Sequence, residues 1–380
     1  MSEAVRRICY VSGTRADFGL MQSTLRAIAA EPGLTLDVVV TGMHLSPRFG
    51  TTVDEIVASG LHVAARIPVA IEESTGSAMA RNLAATLAGC VDAFERLRPD
   101  VVLLLGDRGE MLAGALAAIH LNIPIAHIHG GERSGTVDEP VRHAISKLAH
   151  FHFVSSEDAR TRLVRMGERA EHVFVSGAPG LDGLVELAAL GRDELCAGAG
   201  FDPAAPLGLM VYHPVLQEAG EAENQARALV EACLSRQLQL MAVMPNSDAG
   251  NAGVRRVLEA CADHPRMCVR THLPRPEFVS WMAACDLMVG NSSSGIIEAA
   301  SFGTPVVNVG IRQNLRERNA NVMDVAARRD ELTAGVERAL VHGRYPLRNV
   351  YGDGQAGRRI VAQLLAADLS AGVLLKANTY

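Results

Sequence analysis

Short, almost wholly apolar runs alternate with longer amphipathic ones along nearly the whole chain, and this rhythm constrains the fold more than any other feature. Runs without polar residues suit strands buried on both faces, and the amphipathic stretches between them suit covering helices, so the pattern is that of stacked βαβ units. Strand candidates in the first half are 8–12, 36–40, 101–105, 123–128, 151–156 and 172–177, with helices expected at 17–30, 77–97, 109–121, 137–149 and 157–167. A mixed stretch, 178–206, interrupts the rhythm, which restarts with strands at 207–213, 238–245, 267–272, 286–290 and 305–310. At 380 residues the chain exceeds what one hydrophobic core supports. The expectation is an α/β protein of two Rossmann-like, doubly wound domains facing a cleft, 1–185 and 186–368, with a poorly anchored tail at 369–380.

Bulk properties narrow the partners. A net charge of -6 argues against a general nucleic-acid or membrane-surface binder, and no apolar run is long enough to cross a bilayer. The seven cysteines are scattered with no C-x-x-C pair, a pattern of buried thiols in a reducing compartment. The first strand candidate begins so early that no signal peptide fits before it, and the expected location is cytoplasmic.

In open α/β folds, ligand chemistry gathers at the carboxyl ends of parallel strands. The run 101–152 carries there Asp107, Arg108, His129, Glu132 and Arg133, then Asp138, Glu139, Arg142 and His143. Ordinary turns need no such density of acids, bases and imidazoles, so this run reads as an active site. The first strand ends in SGTRADFG, where free backbone N–H groups at a helix start suit a phosphate or carboxylate and Arg15 adds bidentate contacts. The bland alternative makes Arg15 a surface residue paired with Asp17. The turn is neither G-x-G-x-x-G nor a P-loop, which weighs against dinucleotide and simple nucleotide-triphosphate chemistry. A second glycine–serine turn, 290–310, brings Asn291, Ser292, Ser293 and Ser294 to a helix start suited to a diphosphate. Glu298 behind it suits a ribose diol, and Arg312, Arg316 and Arg318 are placed to balance diphosphate charge.

Thirteen histidines invite a metal, yet no zinc-type spacing is present, so no metal is expected and His127, His150 and His152 read as structural. His213, in YHPV at a strand end, is the histidine expected to bind phosphate or transfer a proton.

Together these motifs resemble the hydrolysing UDP-N-acetylglucosamine 2-epimerases of sialic-acid biosynthesis. The resemblance is carried by GTRADFG (13–19), GDR (106–108), HIHGGERSGTVDEPVRHAISKLAH (127–150), YHPV (212–215), PNSDAG (245–250), NSSSGIIEAASFGTPVVNVGIRQ (291–313) and YGDGQA (351–356), in the family's order. It implies a GT-B-type pair of domains with the nucleotide sugar in the cleft, no cofactor, and a homo-oligomer. The implied reaction converts UDP-N-acetylglucosamine and water to N-acetylmannosamine and UDP, by elimination to a 2-acetamidoglucal and hydration. The same resemblance assigns proton transfer to Asp107 and Asp138, with Glu139, His129 and Glu132 beside them. To the nucleotide sugar it assigns Arg15, Arg108, Arg142, His213, Asn246, Ser292, Ser293, Gly295, Glu298 and Arg312. His129 stands where several family members carry glutamate, which keeps proton-transfer capacity and changes charge and reach. GTRADFG and YHPV favour the hydrolysing over the non-hydrolysing branch.

Three alternatives stay open at the level of sequence. The same chemistry serves UDP-2,4-diacetamido-2,4,6-trideoxyglucose or GDP-N-acetylglucosamine on the way to legionaminic acid. A GT-B glycosyltransferase explains the nucleotide site but not the carboxylate cluster, and a non-catalytic nucleotide-sugar sensor leaves the acid/base set without a purpose.

Overall fold

The computed structural model describes residues 5–379 apart from 72, 74 and 136. In chain order the first domain runs β1 (Arg6–Ser12), α1 (Arg15–Ala30), β2 (Leu34–Thr41), α2 (Val53–Ala58), β3 (Val63–Ile67), α3 (Gly76–Leu97), β4 (Val101–Leu105), α4 (Gly109–His120), β5 (Ile125–Ile128), α5 (Asp138–Leu148), β6 (Phe151–Val154), α6 (Glu157–Arg165) and β7 (Val173–Val175). Short helices α7 (Leu184–Leu187) and α8 (Arg192–Ala199) lead to the second: β8 (Leu207–Val211), α9 (Ala222–Ser235), β9 (Gln239–Val243), α10 (Asn251–Ala260), β10 (Met267–Arg270), α11 (Arg275–Ala284), β11 (Leu287–Gly290), α12 (Ser293–Ile297), β12 (Val306–Val309), β13 (Val322–Val325) and α13 (Arg329–His342). Two more helices, α14 (Ala356–Ala366) and α15 (Ala371–Leu374), close the chain.

Every strand pairing is parallel, in two sheets of order β3-β2-β1-β4-β5-β6-β7 and β10-β9-β8-β11-β12-β13. Strand order reverses between β1 and β4 in one sheet and between β8 and β11 in the other. At such points adjacent loops diverge and leave a crevice for ligand. The fold is thus the expected pair of doubly wound domains. No helix among the described residues is long and apolar enough to cross a membrane.

Central strands are apolar because helices cover both their faces: all five residues of β4 and of β8 are buried. The two strands that the sequence rhythm misses, β3 and β13, lie at sheet edges. Each has an exposed charged residue, Arg66 and Asp324, that breaks the apolar run.

Two features of the chain end differ from expectation. Helix α14 falls inside the segment assigned by sequence to the second domain, yet Ile360 and Leu364 pack in one core with Ile8, Leu25 and Ile28 of the first. Arg6 also donates to the Leu364 carbonyl at 2.7 Å. The tail, expected to be poorly anchored over 369–380, is anchored over its described residues 369–379. Lys376 Nζ donates to the Ser146 and Lys147 carbonyls at 3.1 and 2.9 Å, and it pairs with buried Glu168 at 2.6 Å. The tail lysine thus caps carbonyls in the last turn of α5, where helical partners run out. Lys376→Met is expected to lower the unfolding free energy by about 1–3 kcal/mol in urea titrations, because part of the bonding of a buried carboxylate is lost. An unchanged midpoint would show the anchor to be idle.

Candidate functional site

The two switch points face one another, and their turns are filled in different ways. In the first, α1 begins behind a capping box in which the turn supplies its own anion. Asp17 accepts from the backbone N–H groups of Gly13 (3.1 Å) and Thr14 (2.6 Å) and from the Thr14 hydroxyl (2.9 Å). The expected anion cradle is therefore occupied by a residue three positions along, the usual capping-box geometry. Arg15 pairs with Glu55 at 3.0 Å, and neither the anion-site reading nor the Asp17 pairing describes it.

In the second turn Gly290 sits at φ 132°, and a Cβ there would lie 2.0 Å from the Val211 carbonyl, so only glycine lets β11 pass β8 this closely. Asn291 then locks the turn to His213, accepting from its N–H and donating to its carbonyl at 2.8 Å each. Ser292 caps α12 and shares a 2.8 Å hydrogen bond with Ser294, while Ser293 is half-buried beside them. Gly295 is not a ligand position: it faces Val306 and Met288 in the sheet, and its N–H donates to the Ser292 carbonyl. Glu298 is fully buried and gripped through both oxygens by Arg275, which leaves no open carboxylate face for a diol.

A cavity of about 200 Å³ is lined by residues of both domains. Its polar lining includes Asp107, Arg108, Asp138, Asp248 and Arg312. Arg108 reaches across the cleft, 3.4 Å from Asp248 and 3.4 Å from its own domain's Glu110. Burial opposes its charge, but Glu110, Asp248 and Asp138 more than restore it, so the guanidinium stays protonated. Arg312 donates to the Asn291 carbonyl at 3.1 Å and lies 4.0 Å from Asp138. His213 Nδ1 accepts from the Asn246 backbone N–H at 3.2 Å, which places its proton on Nε2. Burial, then Arg312, pushes this imidazole down to about 3, so His213 is uncharged near neutral pH. Asn246 itself steers Asp248 through a 2.6 Å hydrogen bond.

An apolar patch adjoins these charges, next to the polar side chains of Glu73, Asn82 and Thr86. Val69 and Ile71, together with Met79 and Leu83 of α3 and Val141 of α5, line the same cavity as the two aspartates. Met79, Asn82, Leu83 and Thr86 recur at helical spacing, so one face of α3 looks into it. The Thr86 hydroxyl is buried there without a hydrogen-bond partner among the described residues.

Beneath the cavity, Asp107 is ion-paired with fully buried Arg142. Glu132 accepts from His129 Nδ1 at 2.5 Å and Ser155 Oγ at 2.8 Å, and Arg142 donates to its carbonyl at 3.2 Å. His129 is held at φ 62°, a region few side-chain-bearing residues enter, so this pairing fixes an unusual backbone. Glu139 does not join the group. Its carboxylate turns back to accept from the N–H groups of Ser134 (2.7 Å) and Gly135 (2.5 Å), which outweigh burial and lower its pKa.

Sequence reasoning grouped Arg316 and Arg318 with Arg312. The structure separates them: Arg318 pairs with Asp324 at 3.0 Å, and Arg316 enters the first domain to meet Glu132. Asp248, inside a quoted motif, went unassigned because nothing local marks it as the partner of Arg108. His127 bridges the Gly106 carbonyl (2.7 Å) and Ser146 (3.1 Å), and His152 meets Glu168 at 3.0 Å, both as parts of the frame. No group of three or more metal-ligating side chains occurs among the described residues.

The family model described as UDP-N-acetylglucosamine 2-epimerase matches residues 26–365. The chain is 48% identical, over 99% of its length and all of the relative's, to the hydrolysing UDP-N,N'-diacetylbacillosamine 2-epimerase of Legionella pneumophila. It is 31% identical to the UDP-N-acetylglucosamine 2-epimerase of Neisseria meningitidis, over 92% of each chain. The crystal structure of UDP-GlcNAc 2-epimerase from Neisseria meningitidis bound to UDP-GlcNAc superposes with a TM-score of 0.80, at 20% identity, covering 95% of this chain and 100% of that one.

Buried neutral histidines make stability acid-sensitive. The unfolded chain takes up protons near pH 6.5 that native His127, pushed down to about 3 chiefly by burial, refuses until far lower pH. Protons then favour the unfolded state, and stability falls as pH drops from 6.5 towards 3. His127 alone is expected to account for about 2 kcal/mol between pH 6.5 and 5, measured as urea midpoints of wild type against His127→Asn. Parallel pH dependences in the two proteins would contradict the assignment.

Proposed function

The chain belongs to the UDP-N-acetylglucosamine 2-epimerase family and is a hydrolysing nucleotide-sugar 2-epimerase; we propose that its substrate is UDP-2,4-diacetamido-2,4,6-trideoxyglucose, released as the free 2-epimer together with UDP. The sequence reading puts UDP-N-acetylglucosamine first. One observation favours the trideoxy sugar: the cavity that holds Asp107 and Asp138 carries an apolar patch of Val69, Ile71, Met79, Leu83 and Val141, beside the polar Glu73 and Asn82. A 6-hydroxyl against such a patch loses its hydrogen bonds to water without replacement, whereas a C6 methyl gains from burial. Thr86 offers its unpartnered hydroxyl to a second acetamido group. The 48% relative, named for UDP-N,N'-diacetylbacillosamine, which is the same diacetamido-trideoxy sugar, supports the reading.

In the first step a carboxylate takes the C2 proton. The C–H electrons form the C1=C2 bond, and the C1–O electrons leave with the diphosphate. In the second, water adds to C1, keeping one proton as the new C1 hydroxyl and giving the other to a carboxylate, while a solvent-derived proton is delivered to C2 on the opposite face and the proton taken in the first step is released to solvent. Asp107 and Asp138 divide proton removal and water activation, as their shared cavity allows. Arg108 and Arg312 compensate the leaving charge, with the His213 Nε2–H as a neutral donor.

The test is an NMR time course in D2O with this sugar nucleotide and with UDP-N-acetylglucosamine. The expected product is the free 2-epimer carrying deuterium at C2, with kcat/KM at least roughly tenfold above that for UDP-N-acetylglucosamine. A preference for UDP-N-acetylglucosamine would overturn the substrate. Asp107→Asn and Asp138→Asn are each expected to lower kcat by roughly 10²–10⁴-fold while UDP still binds; near-normal rates in both would remove their roles. Leu83→Asn should cost about tenfold in kcat/KM for the trideoxy sugar, with a smaller loss for UDP-N-acetylglucosamine.

A further inference from the structure

The segment after β12 leaves its own domain and ties itself to the other at three places. Arg312 lies 4.0 Å from Asp138, Arg316 bonds Glu132 at 2.5 Å and sits 3.8 Å from Asp107, and Ser156 donates to Glu317 at 2.6 Å. The middle tie is the most deeply enclosed, with 9% of the Arg316 side chain and 6% of the Glu132 side chain exposed. Its two halves come from opposite walls of the cleft, so the contact exists only when the domains meet.

We propose that Arg316 is a positioning residue that couples closure of the cleft to assembly of the proton-transfer groups, completing the Glu132–His129 pair and bracing Asp107 when the second domain arrives. The inference rests on the assignment of Asp107 and its neighbours to proton transfer made above.

The charges require such a partner. One oxygen of Glu132 is engaged by His129 Nδ1 and Ser155, and the other by Arg316. Arg142 stands at the Glu132 backbone carbonyl with its guanidinium committed to Asp107, and buried Tyr351 brings no cation. Burial by itself would raise the Glu132 carboxyl. Arg316 leads the opposing interactions, ahead of His129 and Ser155, and together they hold it down at about 2. A cleft without Arg316 leaves a buried carboxylate short of a cation, and such a group takes up a proton. Protonated Glu132 no longer orients His129 as an anion does. His129 then loses its fixed Nδ1–H, and Asp107 keeps a single cationic contact, Arg142. The same geometry argues against a diphosphate role for Arg316, because its guanidinium is spent on carboxylates while Arg108 and Arg312 line the cavity.

The test measures kcat, KM and the pH profile for Arg316→Gln, Arg316→Lys, Glu132→Gln and the Arg316→Gln/Glu132→Gln double variant. Wild-type turnover is measured alongside: an inactive wild type overturns the functional reading and this inference with it, while an active one isolates the inference. Arg316→Gln is expected to lose at least about tenfold in kcat with KM within about threefold of wild type, as for a group that acts on the chemical step. The acidic limb of kcat should move to higher pH, since Glu132 loses the cation that keeps it ionised. Lysine should restore part of the rate, because an ammonium can pair with Glu132 but lacks the fork that also reaches Asp107. The double variant should be little worse than Glu132→Gln, as expected for residues acting as one unit. Wild-type kcat with an unmoved acidic limb in Arg316→Gln would overturn the proposal, as would a loss confined to KM or fully additive effects. Should Arg316→Gln fail to fold, Arg316→Lys and Glu132→Gln decide: a lowered kcat with KM near wild type in both supports the coupling, and wild-type kcat in both rejects it.

Discussion

Charges buried where the two domains meet cannot stand alone, and much of the site follows from that constraint. Desolvating an unpaired carboxylate or guanidinium costs several kcal/mol, more than a local contact returns. Asp107, Glu132 and Arg142 come from the first domain and Arg316 from the second, and the four pair across the boundary. Arg108 and Asp248 do the same at the other side of the cavity. The relative placement of two otherwise independent sheets is thereby tied to the protonation states of the residues that line the cleft. If, as proposed, these residues remove a proton and activate water, that tie lets the acid/base groups be set when the cleft closes.

Positive charge and neutral donors are distributed with a matching economy. The first glycine turn neutralises itself through Asp17 and has no vacancy for a ligand anion. Arg108 and Arg312 line the cavity instead, beside a histidine whose geometry fixes it as a neutral donor. In the proposed reaction a neutral Nε2–H can stabilise the departing diphosphate without adding a titrating group near neutral pH, and proton transfer falls to the carboxylates. Met79 and Leu83 of α3 give the cavity the apolar patch on which the proposed substrate rests.

The fold was legible where burial alone dictates residue type. Central strands such as β4 and β8 are apolar throughout, and the glycine-bearing turns after β1 and β11 lie at the two switch points. Edge strands β3 and β13 were missed because exposure admits Arg66 and Asp324 into them. Within the site, Asp107, Arg108, Asp138 and Arg312 could be read from their strand ends and meet in one cavity. Glu139 was grouped with Asp138 by adjacency, but neighbours on a helix point about 100° apart, and Glu139 serves the loop before it. Partnerships were the part that sequence concealed. Arg316 lies 184 residues from Glu132, and Arg275, which takes up Glu298, belongs to a different helix. Local periodicity records neighbours three or four residues away, so it identifies a charge without identifying what neutralises it.

The most direct test of the account is a crystal structure of the Asp107→Asn protein with UDP-2,4-diacetamido-2,4,6-trideoxyglucose bound. The account predicts a closed cleft with Arg316 on Glu132, the sugar C2 facing the Asp107 and Asp138 positions, and the C6 methyl against Ile71, Met79 and Leu83. A sugar ring bound with its C6 methyl in solvent, or an intact substrate held in a cleft where Arg316 is parted from Glu132, would contradict it.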